Sequence, residues 1–202
     1  MRMHRAFRGL VLAALAVGGG AAVASTAQVA PVPPPAEQQT ADCTAPVFAT
    51  DQLVCSDPDL RALDTQLAEA LARATEPVSK WIEPQGQWFL RRSRCAFSED
   101  HAGCAEAAYR ERLSLFHPPD PDARLLQARC DDPDIETISV SPERIVLFGK
   151  SGNVLGVAQD ALAKDKWQPF LVTLRRDSRI LMRTALSDTL KCRPGNRLAE
   201  QS

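Results

Sequence analysis

The chain has 202 residues, 24 Lys+Arg against 25 Asp+Glu for a net charge of −1, and 45% hydrophobic residues, enough for a packed core. The balance lacks the basic excess that nucleic-acid phosphates demand, so no nucleic-acid partner is expected. No apolar run reaches the ~20 residues of a membrane-spanning helix, so no transmembrane segment is expected either.

The chain begins with Arg2, His4, Arg5 and Arg8, then an apolar stretch from Leu10 to Val17, then Gly18 to Ala22 and the small triplet Ala22-Val23-Ala24. This is the layout of an export signal with an A-x-A cleavage site, assigned to residues 1–24, with a second candidate cut after Ala30. Cleavage after Ala24 removes three arginines and no acid, taking the net charge from −1 to −4. The first cysteine is Cys43, too far from the apolar stretch to carry a lipid anchor. The expectation is a soluble periplasmic or secreted protein that is not a lipoprotein. A mildly acidic exported chain also suits a cationic protein partner.

Residues 25–41 contain Pro31-Val32-Pro33-Pro34-Pro35 and no apolar periodicity, which predicts a disordered or polyproline-like tether. After it come six cysteines: Cys43, Cys55, Cys95, Cys104, Cys130 and Cys192. An exported chain with no C-x-x-C pair and only His101 and His117 left after cleavage reads as a disulfide framework, with no metal site and no cofactor.

Asp57 can cap a helix, Pro58 suits its first turn, and Leu60, Leu63, Leu67 and Leu71 recur at helical spacing, predicting a helix over about residues 58–76. Pro77 should stop it. Gln85 to Cys95 follows Pro84 as a second helical segment carrying Trp88, Phe89 and Arg92. A third helix is predicted from about Gly103 to Phe116 by Tyr109, Leu113 and Phe116. Trp88, Phe89 and Tyr109 are the large apolar filler that a small bundle needs. Asp64 and Arg92 are candidates to pair across antiparallel helices, with Arg112 as a competing partner.

His117-Pro118-Pro119-Asp120-Pro121-Asp122 interrupts every regular pattern and predicts a linker at residues 117–123. The texture then changes to β-branched segments: Ile135 to Val140, Arg144 to Phe148, Asn153 to Ala158, Phe170 to Arg175 and Arg179 to Thr184. Gly149-Lys150-Ser151-Gly152 and Arg176-Asp177-Ser178 read as hairpin turns between them. Residues 124–197 are expected to form a small antiparallel β module of about five or six strands. Cys130 and Cys192 would close it if they pair with each other, and residues 198–202 are a tail. The fold class is therefore α+β: a disulfide-stapled three-helix domain over residues 42–116, then the β module.

Val54-Cys55-Ser56-Asp57-Pro58 with Leu60, Leu63 and Asp64, then Gln85-x-x-Trp88-Phe89-x-x-Arg92-x-x-Cys95, then Cys104-x4-Tyr109-x2-Arg112-x2-Leu115 occur in a fixed order. Together they resemble the lysozyme inhibitor LprI-like N-terminal domain family, over residues 42–116. The resemblance implies a small helical, disulfide-bonded envelope domain and inhibition of lysozyme. The chain departs from that pattern in the proline-containing stretch Glu76 to Pro84, and its C-terminal half shows no such resemblance.

The most site-like segment is Ala96-Phe97-Ser98-Glu99-Asp100-His101-Ala102-Gly103, short, polar and bounded by Cys95 and Cys104. Constraint at both ends would let Glu99, Asp100 and His101 present a preorganised surface to the cleft of a cationic lysozyme-type protein. Catalytic residues are not expected: there is no G-x-S-x-G elbow, and all six cysteines are available for pairing. Asp131-Asp132-x-Asp134 lacks the spaced glycine and distal glutamate of a calcium loop and reads as a turn or strand entry. The function so predicted is that of an exported, noncatalytic binding protein that occludes a muramidase cleft. The alternative is an envelope interaction or assembly module with no inhibitory activity.

Overall fold

Asp57 begins the longest helix by accepting hydrogen bonds from the Asp59 and Leu60 N–H groups at 2.9 and 3.1 Å, with Pro58 at the first helical position. The computed structural model describes residues 38–74, 77–117, 120–163 and 166–197. The expected signal peptide, residues 25–37 of the expected tether, Glu76, Pro118, Pro119 and the expected tail lie outside the described residues. The described helices are α1 (Ala49–Ser56), α2 (Pro58–Arg73), α3 (Gln85–Ser93) and α4 (His101–Leu113), with a 3-10 turn at Arg94–Phe97.

Four α-helices thus replace the three expected. The added one, α1, has only eight residues and buries the polar Thr50 and Asp51 beside Val54, so it shows no apolar stripe in the sequence. Asp51 instead starts it, accepting the Phe48 N–H at 3.1 Å. Helix α2 stops at Arg73, short of the expected end. The described end of the expected tether is held in place: the Ala41 N–H donates to Asp64 Oδ1 at 3.0 Å and Gln85 Nε2 to the Gln39 carbonyl at 2.6 Å.

The helical core gathers Val54, Leu60, Leu67, Trp88, Phe89 and Tyr109, with the Trp88 and Tyr109 rings edge-to-face at 5.5 Å. Disulfides Cys43–Cys55 and Cys95–Cys104 tie its ends. The expected pairing of Asp64 with Arg92 is not formed. Arg92, fully buried, pairs with Asp51 and donates to the Tyr109 hydroxyl, which donates in turn to Asp64 Oδ1 at 2.7 Å. Arg112 is not the competing partner; it donates to Gln85 Oε1 and to the Glu83 carbonyl. The reason is that α1, hidden from periodicity, brings a carboxylate deeper into the bundle than Asp64 lies.

The C-terminal half is a closed barrel of seven strands: β1 (Arg124–Cys130), β2 (Ile135–Val140), β3 (Arg144–Gly149), β4 (Val154–Asp160), β5 (Leu171–Arg176), β6 (Ile180–Thr184) and β7 (Thr189–Arg197). The five expected strands are present with small shifts, and both expected hairpin turns join strands. Two strands are added at the ends of the module, and the sheet is mixed: β4 and β5 run parallel, joined by a crossover that carries Trp167. Pairing of β7 with β1 closes the barrel and leaves no open edge. Strand β7 was hidden because it contains Pro194 and Gly195, which usually argue against a strand; here they sit where the β1–β7 register shifts. Cys130 and Cys192 are cross-strand partners at that seam and form the third disulfide.

The described residues fall in one compact unit, and the two halves exchange tryptophans. Trp81, from the segment before α3, is 4% exposed inside the barrel core. A side chain at Gly156 would meet the Trp81 Cβ at 3.0 Å and Leu147 Cδ1 at 3.1 Å, so glycine there makes the insertion possible. The Trp81 indole N–H donates to Asp132 Oδ2 at 2.8 Å, while Asp132 Oδ1 accepts the Asp134 N–H at 3.0 Å. The acidic run is therefore a turn at the entry to β2 that also seats Trp81. Trp167, from the barrel crossover, is 6% exposed in the helical core.

Candidate partner-binding site

The segment from Cys95 to Cys104 is closed by its own disulfide, with the two Cα atoms 5.5 Å apart. Its first residues complete the 3-10 turn, which rotates Phe97 away from the face that carries Cys95 inward. Cys95 is 1% exposed and Phe97 90% exposed, so a complete phenyl ring stands in solvent two residues from a buried staple. Burying such a ring recovers about 1.5–3 kcal/mol, which makes it a natural contact for a partner.

The second half of the loop is held by hydrogen bonds. Asp100 caps α4, accepting the Gly103 N–H at 3.0 Å. A Cβ on Gly103 would come within 2.4 Å of Asp100 Oδ2, so this close cap requires glycine at that position. Asp100 also takes Lys166 Nζ from the barrel crossover at 3.0 Å, and that ammonium, with the Gly103 N–H, holds its carboxyl below the usual carboxylate range. His101 places Nε2 3.0 Å from Thr50 Oγ1, whose single proton goes to the Ser93 carbonyl at 3.0 Å. Thr50 must therefore accept, and Nε2 carries the hydrogen. Partial burial lowers the His101 pKa. Glu99 is exposed at the tip.

Beside the loop lies a groove of about 370 Å³ between α2 and α4, lined by Asp57, Asp59, Ala102, Gly103, Glu106 and Arg110, among others. Arg110 is paired with Glu106 at 2.6 Å, so the uncompensated charge of the groove is negative. The groove reaches the loop through Ala102 and Gly103, and Asp59 is exposed on it.

Sequence comparison finds relatives for part of the chain. Over 105 residues, 50% of this chain, 34% of positions are identical to a curated protein of Mycobacterium bovis and to its counterparts in two strains of Mycobacterium tuberculosis. The chain is homologous, over half its length, to Lipoprotein LprI. The aligned region spans 53% of those relatives, so the chain spans about half the length of the curated proteins it matches. No protein-family model matches the chain, and no solved structure matches it. The three disulfides, together with homology to a lipoprotein, point to an extracytoplasmic compartment. No described helix is long and apolar enough to cross a membrane.

Among the residues singled out from the sequence, the structure brings Asp100 and His101 to the start of α4 and leaves Glu99 free at the loop tip. Asp100 and His101 are both engaged in holding the loop, through Gly103 and Lys166 and through Thr50. Phe97 had not been singled out. Its signal was present: an aromatic residue two positions after a cysteine, out of phase with Trp88, Phe89 and Arg92.

Proposed function

We propose that this chain is an extracytoplasmic, noncatalytic binding protein that inhibits a lysozyme-type muramidase by placing the Cys95–Cys104 loop in its cleft. The observation that carries this reading is Phe97, 90% exposed on a loop whose two ends are joined by a disulfide. The loop is ordered before binding, so little conformational entropy is lost when it docks. Phe97 supplies the apolar anchor, Glu99 a free carboxylate, and Asp100 and His101 hold the loop in shape. The groove beside it, where Asp57 and Asp59 carry the uncompensated charge, attracts a cationic enzyme and steers its approach. Homology to Lipoprotein LprI and the lysozyme inhibitor LprI-like motif spacing support the same reading. In this reading residues 1–24 are removed as an export signal.

The test is a muramidase assay with the purified exported chain. The expected result is saturable inhibition at about micromolar concentration or below. Phe97→Ala combined with Glu99→Ala should weaken that inhibition while leaving the thermal midpoint unchanged. Undiminished inhibition by the double variant would remove the loop from the interface. A chain that inhibits no lysozyme class would instead be an envelope adaptor.

A further inference from the structure

The barrel carries a surface of opposite sign to the helical half. Strands β5, β6, β7 and β1 are consecutive neighbours around the barrel, and their register places Arg175 opposite Leu181, Leu181 opposite Lys191, and Arg193 opposite Arg129. Cys192 and Ile180 point into the core, so the alternation of a strand turns Lys191, Arg193 and Leu181 outward. Together with Arg179 these cations line a groove of about 500 Å³, floored by Ile180 and the Cys130–Cys192 disulfide, with Asp131 as its one acid. The backbone N–H groups of Arg179 and Lys191 donate to Asp177 and Asp131, each at 3.0 Å, while among the described residues the side chains of Arg129, Arg179, Lys191 and Arg193 enter no ion pair or hydrogen bond. Arg175 has only Asp177, at 3.7 Å in solvent.

Two features set this groove apart from an ordinary solvated face. Like charges directly opposite on paired strands are destabilising, yet Arg129 and Arg193 are such a pair. The concentration also runs against the chain, whose overall charge is −1. We propose that the groove binds linear inorganic polyphosphate. Four of the five cations are arginines, whose planar fork matches phosphate oxygens. The cations extend across four strands, three steps of about 4.8 Å or about 14 Å in all, beyond the reach of one orthophosphate and matched by a chain of them. The groove is concave, which admits a chain and keeps a flat bilayer from reaching its floor. Such binding retains the protein at an anionic polymer while the acidic helical surface stays free, and it stands independently of muramidase inhibition.

The experiment titrates the full exported chain with linear polyphosphate, with orthophosphate at equal total phosphate, and with phosphatidylglycerol vesicles. Polyphosphate is expected to bind with an affinity that falls steeply as salt rises, and Arg129→Ala/Arg193→Ala to weaken it by about tenfold or more. The same double variant should melt no lower than the parent, because it removes a like-charge pair. Arg179→Ser/Lys191→Thr, on the other side of the groove, provides a second variant with the same expected loss. Equal polyphosphate binding by parent and both variants would overturn the proposal. So would orthophosphate binding as tightly as the polymer, or vesicle binding without polyphosphate binding.

Discussion

The guanidinium of Arg91 lies 3.8 Å over the ring of Trp167, a contact between α3 and the crossover of the barrel. Arg91 also donates to both oxygens of Glu83, to the Gln168 carbonyl at 2.8 Å and to Glu111 Oε2 at 3.2 Å. Glu111 in turn accepts the Trp167 indole N–H at 2.6 Å and the Phe170 backbone N–H. One arginine thus joins the helical core to the crossover that leads into the parallel strand β5. Trp167→Ala is expected to cost about 3–5 kcal/mol, the usual range for removing a buried tryptophan. Helical circular dichroism and fluorescence of the two remaining tryptophans should lose structure in one shared transition. Two separate transitions in the parent chain would show that the halves fold independently.

The buried charges of the bundle predict an order of severity. Asp51→Ala leaves Arg92 without its carboxylate in the core and should cost about 3–5 kcal/mol. Asp64→Ala removes the acceptor of the Tyr109 hydroxyl and of the Ala41 N–H, and should cost about 1–3 kcal/mol. Urea unfolding of the two variants checks the ranking. A larger loss at Asp64 would mean that the pairing expected from the sequence describes the folded chain better.

Glu111 makes the junction sensitive to pH. Burial pushes its carboxyl above the usual carboxylate range, against the opposing pull of Arg91, the Phe170 N–H and the Trp167 indole N–H. A carboxyl whose folded pKa is raised contributes its stability in full below the unfolded value of 4.5 and loses it as pH rises through the folded pKa. The melting temperature of the parent, relative to Glu111→Gln, should therefore be most favourable near pH 4 and decline as pH rises. A difference that grows with pH would show that the Arg91 pair outweighs the cost of burial.

Gly103→Ala tests the loop without touching its exposed residues. The added methyl would displace the Asp100 carboxyl and break the cap of α4, a loss of about 0.5–2 kcal/mol. Inhibition of muramidase should fall more than this stability loss explains, because the tip is no longer held. Asp100→Ser added to Gly103→Ala supplies a smaller cap and should recover part of both. Inhibition that is unaffected while the cap is lost would separate loop order from activity.

The sequence by itself determined the elements whose signals are local. Asp57-Pro58 and the leucines at helical spacing specify α2, Gly149 to Gly152 specifies a hairpin, and six cysteines without a C-x-x-C pair specify three bridges. Tertiary structure alone decided the partners of buried polar groups, because hydrogen bonds such as Arg92 to Tyr109 depend on distances across elements that periodicity does not encode. It also decided the closure of the barrel. Strands β1 and β7 carry charged residues, a proline and a glycine that read locally as loop, and they become strands only because each finds the other at the seam. The exposure of Phe97 and the grouping of cations from three strands and a turn have the same cause: both depend on which face of an element the rest of the fold leaves uncovered.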